Sequence, residues 1–152
     1  MILAIRTDKP EAEVYLLAAS GEVVASDSWL ADRRLSQELL PHLESLLGST
    51  GGALSDVRGV VVWQGPGSFT GLRIGMTVAN ALAYGLGVPV VGATGERWLS
   101  EGVSKLSSGQ AASEDTNAAK ATAGATDDLS TRQLQIVLPE YGSEAHTTKQ
   151  RK

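Results

Sequence analysis

The chain has 152 residues, a formal net charge of −4 and no cysteine. This length suits one domain, and the acidic balance provides no global basic footprint for binding nucleic acid. The lack of cysteine excludes disulfides and thiolate metal sites. No apolar run approaches the length of a membrane span, and the N-terminus lacks the layout of a signal peptide. We expect a cytoplasmic protein without membrane association.

The first part of the sequence predicts three strands before any helix. Residues 2–7 form a short buried strand, and the apolar runs 14–19 and 23–28 flank a turn at Ser20-Gly21-Glu22. The two runs predict a β-hairpin beside the first strand. This order favours an actin-like, ribonuclease-H-like α/β core over a Rossmann fold, in which strands and helices alternate from the start.

A leucine stripe predicts the first helix over residues 36–47, with Ser36 as N-cap and Gly48 as the stop. Its members are Leu39, Leu40, Leu43, Leu46 and Leu47. A central strand, a second helix and a last strand then follow, over residues 57–63, 70–85 and 89–92.

The sequence changes character after the last strand. Residues 104–132 are rich in Ala, Ser, Thr, Gly and Asp, which predicts a flexible linker that buries too little apolar area to fold. Leu134, Ile136 and Leu138 then alternate before Pro139, which predicts a short docking strand. The predicted organisation is an α/β domain at 1–103, a low-complexity linker at 104–132, and a docking strand with a basic tail at 133–152.

The most informative stretch is a glycine-rich turn between the central strand and the second helix. It reads Gly65-Pro66-Gly67-Ser68-Phe69-Thr70-Gly71-Leu72-Arg73-Ile74-Gly75. Turns at this position contact ligands or partners in α/β proteins. The alternative is that these glycines serve only the backbone geometry of the turn.

This turn fits none of the catalytic or phosphate-binding motifs tested. Three residues, not four, separate Gly67 from Gly71, and no lysine follows as in a Walker loop. The spacing from Gly65 is one residue too long for a dinucleotide fingerprint, and Ser68 directly follows Gly67, unlike a nucleophile elbow. Two scattered histidines offer no zinc site. We therefore predict no catalytic residue and no metal.

The whole turn resembles the signature of the TsaB family, whose members are non-catalytic subunits of the bacterial system that makes threonylcarbamoyladenosine in tRNA. Segments 2–5, 36–41 and 81–92 resemble the family's first strand, the start of its first helix, and the end of its second helix with the next strand. The resemblance covers about residues 1–95. It implies an actin-like ATPase half-domain with a mixed sheet, an opening hairpin and packed helices.

The resemblance also implies a function and a set of partners. The chain would be an accessory, non-catalytic subunit that forms a heterodimer with the paralogue TsaD and supports threonylcarbamoyl transfer to adenosine in tRNA. The ATPase TsaE would be a further partner and tRNA would be contacted indirectly, whereas the formation of a homodimer without TsaD stays open. No intrinsic cofactor is expected, and ATP or ADP would lie in the partner or at the interface.

The residues implied by the resemblance fall into two sets. The loop motif consists of Gly65, Pro66, Gly67, Ser68, Phe69, Thr70, Gly71 and Arg73. The partner interface, where leucine supplies apolar area and small residues let helices approach closely, consists of Leu39, Leu43, Leu72, Gly75, Met76 and Ala79. The alternative that the leucine stripe faces the chain's own sheet stays open.

Three departures from the family pattern count against intrinsic catalysis. Arg6 stands where the family has an aspartate, with Asp8 two residues late, and we expect these two to form an ordinary ion pair. Leu35 stands where the family often has a histidine. The family also continues with a second α/β half, so the chain resembles a short form. The alternative function is an independent actin-like ATP-binding enzyme, which would need an acidic residue at the end of the first strand.

Overall fold

The structure, a computed structural model, describes residues 1–109 and 136–140. One mixed sheet contains five strands in the order β3-β2-β1-β4-β5. The strands are β1 Ile2–Arg6, β2 Glu11–Leu17, β3 Val23–Leu30, β4 Gly59–Trp63 and β5 Val90–Ala93. The first three pair antiparallel, whereas β4 pairs parallel with β1 and with β5. The predicted mixed sheet with an opening hairpin is therefore confirmed.

Three α-helices accompany the sheet in the described residues, namely α1 Leu35–Ser49, α2 Phe69–Leu86 and α3 Trp98–Ser107. The first two were predicted from their apolar periodicity. The third was not, because its inward positions include Gly102, which carries no apolar signal, and the rest of its surface is polar. Because α3 runs to Ser107, regular structure continues past the domain boundary predicted at residue 103.

The ends of α1 differ from the prediction. Arg34 occupies the N-cap position without a side-chain hydrogen bond, and Ser36 lies inside the helix. A short 3-10 turn, Asp32–Arg34, leads directly into α1, so the backbone forms this entry and no serine cap is used. At the other end, Gly48 is helical and Thr50 is the C-cap.

The side chains of the strands alternate between two helical layers. On the first face, Gly75 of α2 lies against Thr7, which follows β1. On the second face, Trp98 of α3 contacts Trp63 edge-on, with ring centroids 5.9 Å apart. Val61, on the same face as Trp63, leaves no room for a side chain at Gly102. The sheet is thus the middle layer, with α1 and α2 on one side and α3 on the other.

The structure describes only part of the predicted linker, docking strand and basic tail. Residues 110–132 of the predicted linker and the basic tail lie outside the described residues, so these assignments stay predictions. Residues 136–140 have no regular secondary structure but pack on the domain. Within the described parts of the chain, no helix is long and apolar enough to cross a membrane.

Candidate functional site

The glycine-rich turn joins the end of β4 to the start of α2. The indole Nε1 of Trp63 donates a hydrogen bond to the carbonyl oxygen of Pro66 at 3.1 Å, which ties the turn to the strand it leaves. Ser68 is the N-cap of α2, and its hydroxyl accepts a hydrogen bond from the Gly71 amide at 3.4 Å. The helix therefore begins one residue before the predicted start at Thr70.

The segment after β1 packs tightly against this turn. The Ser68 amide donates to the carbonyl oxygen of Asp8 at 2.9 Å. The Thr7 hydroxyl, which is buried, donates to the carbonyl oxygen of Gly71 at 2.8 Å. A Cβ atom at Gly67 would collide with Asp8, and a Cβ atom at Gly71 or at Gly75 would collide with Thr7. These three glycines are thus required for close packing of the start of α2 on the end of β1.

An ion pair occupies the end of β1. The Arg6 guanidinium donates to both carboxylate oxygens of Asp8, at 2.7 and 3.2 Å. It also lies 4.0 Å from the centroid of the Trp63 ring, a cation–π contact. The hydrogen bond that Arg6 donates to Asp8 raises the pKa of Arg6 further, so the guanidinium stays charged. The ion pair predicted from the sequence is confirmed, and Asp8 is directed to Arg6.

The predicted loop motif divides between the surface and the interior. Gly65 and Gly71 are buried, whereas the remaining residues of the motif are exposed: Pro66, Gly67, Ser68, Phe69, Thr70 and Arg73. Arg73 stacks over the Phe69 ring, with its guanidinium carbon 5.1 Å from the centroid. The tip of the turn therefore presents an apolar ring and a cation on the surface. In the described part of the chain, no cluster of His, Cys, Asp or Glu could hold a metal ion.

The residues predicted to lie at or near the partner contact are in the chain's own core. All six are buried: Leu39, Leu43, Leu72, Gly75, Met76 and Ala79. The alternative left open for the leucine stripe is therefore the one observed, because the most apolar stripe of a surface helix packs on its own sheet. The solvent side of α2 carries a different stripe, Thr70, Arg73, Thr77, Ala81 and Tyr84. Its three- and four-residue spacing was visible in the sequence, offset from the buried stripe.

A second set of contacts lies at the carboxyl ends of β4 and β5, where the C-terminal segment docks. There Val137 is buried, at 3% exposure, and its main chain is held by the Asn80 side chain of α2. Ile136 and Leu138, which carried the predicted alternation, are exposed instead. The predicted docking strand therefore docks with the opposite side chain inward and without strand structure. Gln64 and Asn80 had no sequence signal because each binds main chain, and Gly92 had none because it only leaves space for the side chains of Gln64 and Val137.

Comparison with known proteins identifies the family. The family model described as "TsaD: tRNA N6-adenosine threonylcarbamoyltransferase" matches residues 22–101, more than half of the chain. Proteins called "tRNA threonylcarbamoyladenosine biosynthesis protein TsaB" are similar to this chain: that of Escherichia coli is 36% identical over 101 residues, 66% of this chain and 43% of its own length. The chain belongs to the TsaD family and is of the TsaB type.

Further relatives agree with this assignment. The TsaB protein of Bacillus subtilis is 37% identical over 89 residues, covering 59% of this chain and 38% of its own length. The solved structure of "YeaZ from Pseudomonas aeruginosa" superposes with a TM-score of 0.57 at 36% identity, covering 61% of this chain and 43% of that chain. The fold is thus the YeaZ-like, partial actin-like α/β domain. The chain spans less than half the length of these relatives.

Proposed function

We propose that the chain is an accessory subunit in tRNA threonylcarbamoyladenosine biosynthesis that pairs with a TsaD-type paralogue. The names of the relatives from Escherichia coli and Bacillus subtilis support the pathway. In this proposal the chemistry belongs to the partner, which also brings the tRNA. TsaE is a third component, and ATP or ADP lies in the partner or at the interface.

The observation that carries the proposal is the tight packing of the glycine-rich turn. A phosphate-binding turn needs open space in front of its glycines, so that the backbone can approach the ligand. Here Thr7 and Asp8 occupy the space in front of Gly67, Gly71 and Gly75. Arg6 engages the carboxylate of Asp8. This arrangement supports a scaffold that fixes α2 on the sheet, rather than a nucleotide site in this chain.

The outward stripe of α2 and the neighbouring side of α1 form the proposed pairing surface. Thr77 and Ala81 are exposed small residues one turn apart on α2, and such residues let a second helix approach closely. Leu40 belongs to α1, which lies on the same side of the sheet as α2. It is 44% exposed and supplies apolar area for the contact. These three residues replace the buried ones as the proposed contact.

Co-purification with the TsaD of the same organism tests the proposal. We expect a heterodimer by size-exclusion chromatography, and we expect Ala81→Arg to weaken it by about tenfold or more, because an unpaired charge in an interface is costly. Ser104→Arg is the matched control, since Ser104 is exposed on α3, across the sheet. The control should pair as the unchanged chain does.

Two results would contradict the proposal. If the unchanged chain forms no complex at micromolar concentration with nucleotide and tRNA present, the chain lacks the proposed partner. If Ala81→Arg and Ser104→Arg pair equally well, the contact lies elsewhere. Calorimetry showing tight ATP binding by the isolated chain would instead favour an independent ATP-binding enzyme.

A further inference from the structure

The carboxyl ends of β4 and β5 hold a segment that is distant in sequence. Asn80 and Val137 are 57 positions apart, and Gln64 and Leu138 are 74 apart. We propose that the groove formed by Gln64, Gly65, Asn80 and Gly92, here called the carboxyl-edge groove, is a peptide-binding site. It reads the main chain of an extended segment with one aliphatic anchor, and the chain's own segment 136–140 occupies it in cis.

Hydrogen bonds to the main chain of the segment carry the first part of the argument. The Asn80 side-chain amide donates to the Val137 carbonyl oxygen at 2.9 Å and accepts from the Val137 amide at 2.9 Å. Gln64 donates through its side chain to the Leu138 carbonyl oxygen at 2.9 Å and accepts at its own carbonyl oxygen from the Glu140 amide at 2.7 Å. Three of these bonds come from side chains of the groove and one from the Gln64 main chain, and all four hold the main chain of the segment, so they do not depend on its side chains.

A single side chain supplies the selectivity. Val137 is 3% exposed, while its neighbours Ile136 and Leu138 are 47% and 54% exposed. The Val137 side chain lies against Gly92, where a side chain would collide with it. A Cβ atom at Gly92 would come within 2.8 Å of the Val137 Cγ1 atom. The groove therefore selects for an aliphatic residue at one position and tolerates variation on either side.

The walls of the groove are held by the domain itself. The Gln64 amide donates to the carbonyl oxygen of Ala93 at 3.0 Å, which joins the two strand ends. Lys105 of α3 donates through Nζ to the carbonyl oxygen of Gly92 at 3.0 Å. Neither bond involves the segment, so these two contacts of the walls do not depend on it. This edge of a parallel sheet is also where α/β proteins bind ligands.

The occupied groove borders the glycine-rich turn. A Cβ atom at Gly65 would collide with the carbonyl oxygen of Glu140, so the segment lies directly on the first residue of the turn. Gly65 has a φ of 128°, a conformation that favours glycine. The carboxyl-edge groove and the glycine-rich turn are therefore contiguous, and a segment bound in the groove contacts the turn.

Binding of a peptide in trans tests this inference. In the full chain, Val137→Asp should release the tethered segment, since a carboxylate is unsuited to the buried anchor position. A fluorescently labelled peptide of residues 133–142 should then bind this variant at least about tenfold more tightly than the unchanged chain, where the tethered segment competes at a high effective concentration. Fluorescence anisotropy measures both affinities. Leu138→Asp, at an exposed position, is the matched control and should resemble the unchanged chain.

Two further measurements test the groove itself. Adding Asn80→Ala to Val137→Asp should weaken peptide binding by about tenfold or more, because two main-chain hydrogen bonds are lost. A peptide with aspartate in place of its valine should not bind Val137→Asp, and this measurement uses the same protein as the first one, so only the peptide differs. Circular dichroism checks that each variant is folded. The inference is overturned if folded Val137→Asp binds the peptide no better than the unchanged chain, or if the aspartate peptide binds equally well.

Discussion

At the scale of single residues, the contact between Gly75 and Thr7 decides how closely α2 lies against the sheet. Gly75 is buried in the helix, and the Thr7 hydroxyl beside it donates to the Gly71 carbonyl oxygen at 2.8 Å. A methyl group at Gly75 would collide with that hydroxyl. Because Thr7 is short and buried, it cannot move aside without breaking its hydrogen bond.

We expect Gly75→Ala to lower the free energy of unfolding by about 1–3 kcal/mol, the usual cost of overpacking a core. This cost outweighs the gain of up to about 1 kcal/mol in helix propensity. Gly85→Ala is the matched control on the same helix, since a Cβ atom there would have no neighbour within 4 Å. It should stabilise the chain by about 0.5–1 kcal/mol. Urea denaturation measures both, and stabilisation by both variants would contradict the packing argument.

Some residues of the candidate site could be predicted from sequence and others could not. The turn from Gly65 to Gly75 was recognisable because its spacing and its place between a strand and a helix are local features. The Arg6–Asp8 pair was also local. The roles of Asn80 and Gln64 depend on which distant main chain reaches them, and no local pattern encodes that. To predict that Leu39 and its neighbours are buried in the chain's own core, one has to know which side of each helix faces the sheet.

At the scale of elements, α1 and α2 begin in different ways although both have serine near the start. Ser68 caps α2 through its hydroxyl and the Gly71 amide. Ser36 of α1 lies inside the helix and caps nothing. The sequence predicted a cap at Ser36 because serine preceded an apolar stripe, whereas the structure begins the helix earlier through a 3-10 turn. Long, periodic elements were thus predicted well, and their ends less well.

The two serines provide a paired test of this difference. Ser68→Ala should lower the free energy of unfolding by about 0.5–2 kcal/mol, because it leaves an amide of the first turn without its side-chain acceptor. Ser36→Ala should have almost no effect or stabilise slightly, because alanine is a better helix former than serine at an exposed position. Thermal unfolding followed by circular dichroism compares them. Equal destabilisation by both would show that Ser36 is a cap after all.

At the scale of the whole molecule, the helices cover the two faces of the sheet unequally. One face is covered by α1 and α2, while α3 covers the other face only near β4 and β5. On the face that carries α3, an open depression of about 370 Å³ is lined by Glu13, Tyr15, Ser26, Asp27 and Ser28. Tyr15 lies at the margin, with its ring 5.8 Å from that of Trp98 and its hydroxyl donating to Glu13 at 2.9 Å.

The partly buried position of Tyr15 makes the stability of the folded chain sensitive to alkaline pH. Partial burial, reinforced by the hydrogen bond to Glu13, raises the pKa of Tyr15 from 10.0 to about 12. As the pH rises above 10, the unfolded chain therefore releases the phenolic proton first, and the folded chain loses stability. Urea midpoints at about pH 9 and about pH 11 measure the loss. We expect Tyr15→Phe to reduce it, whereas Tyr84→Phe, at a residue 62% exposed, should not. The same loss in Tyr15→Phe as in the unchanged chain would mean that other groups cause the alkaline sensitivity.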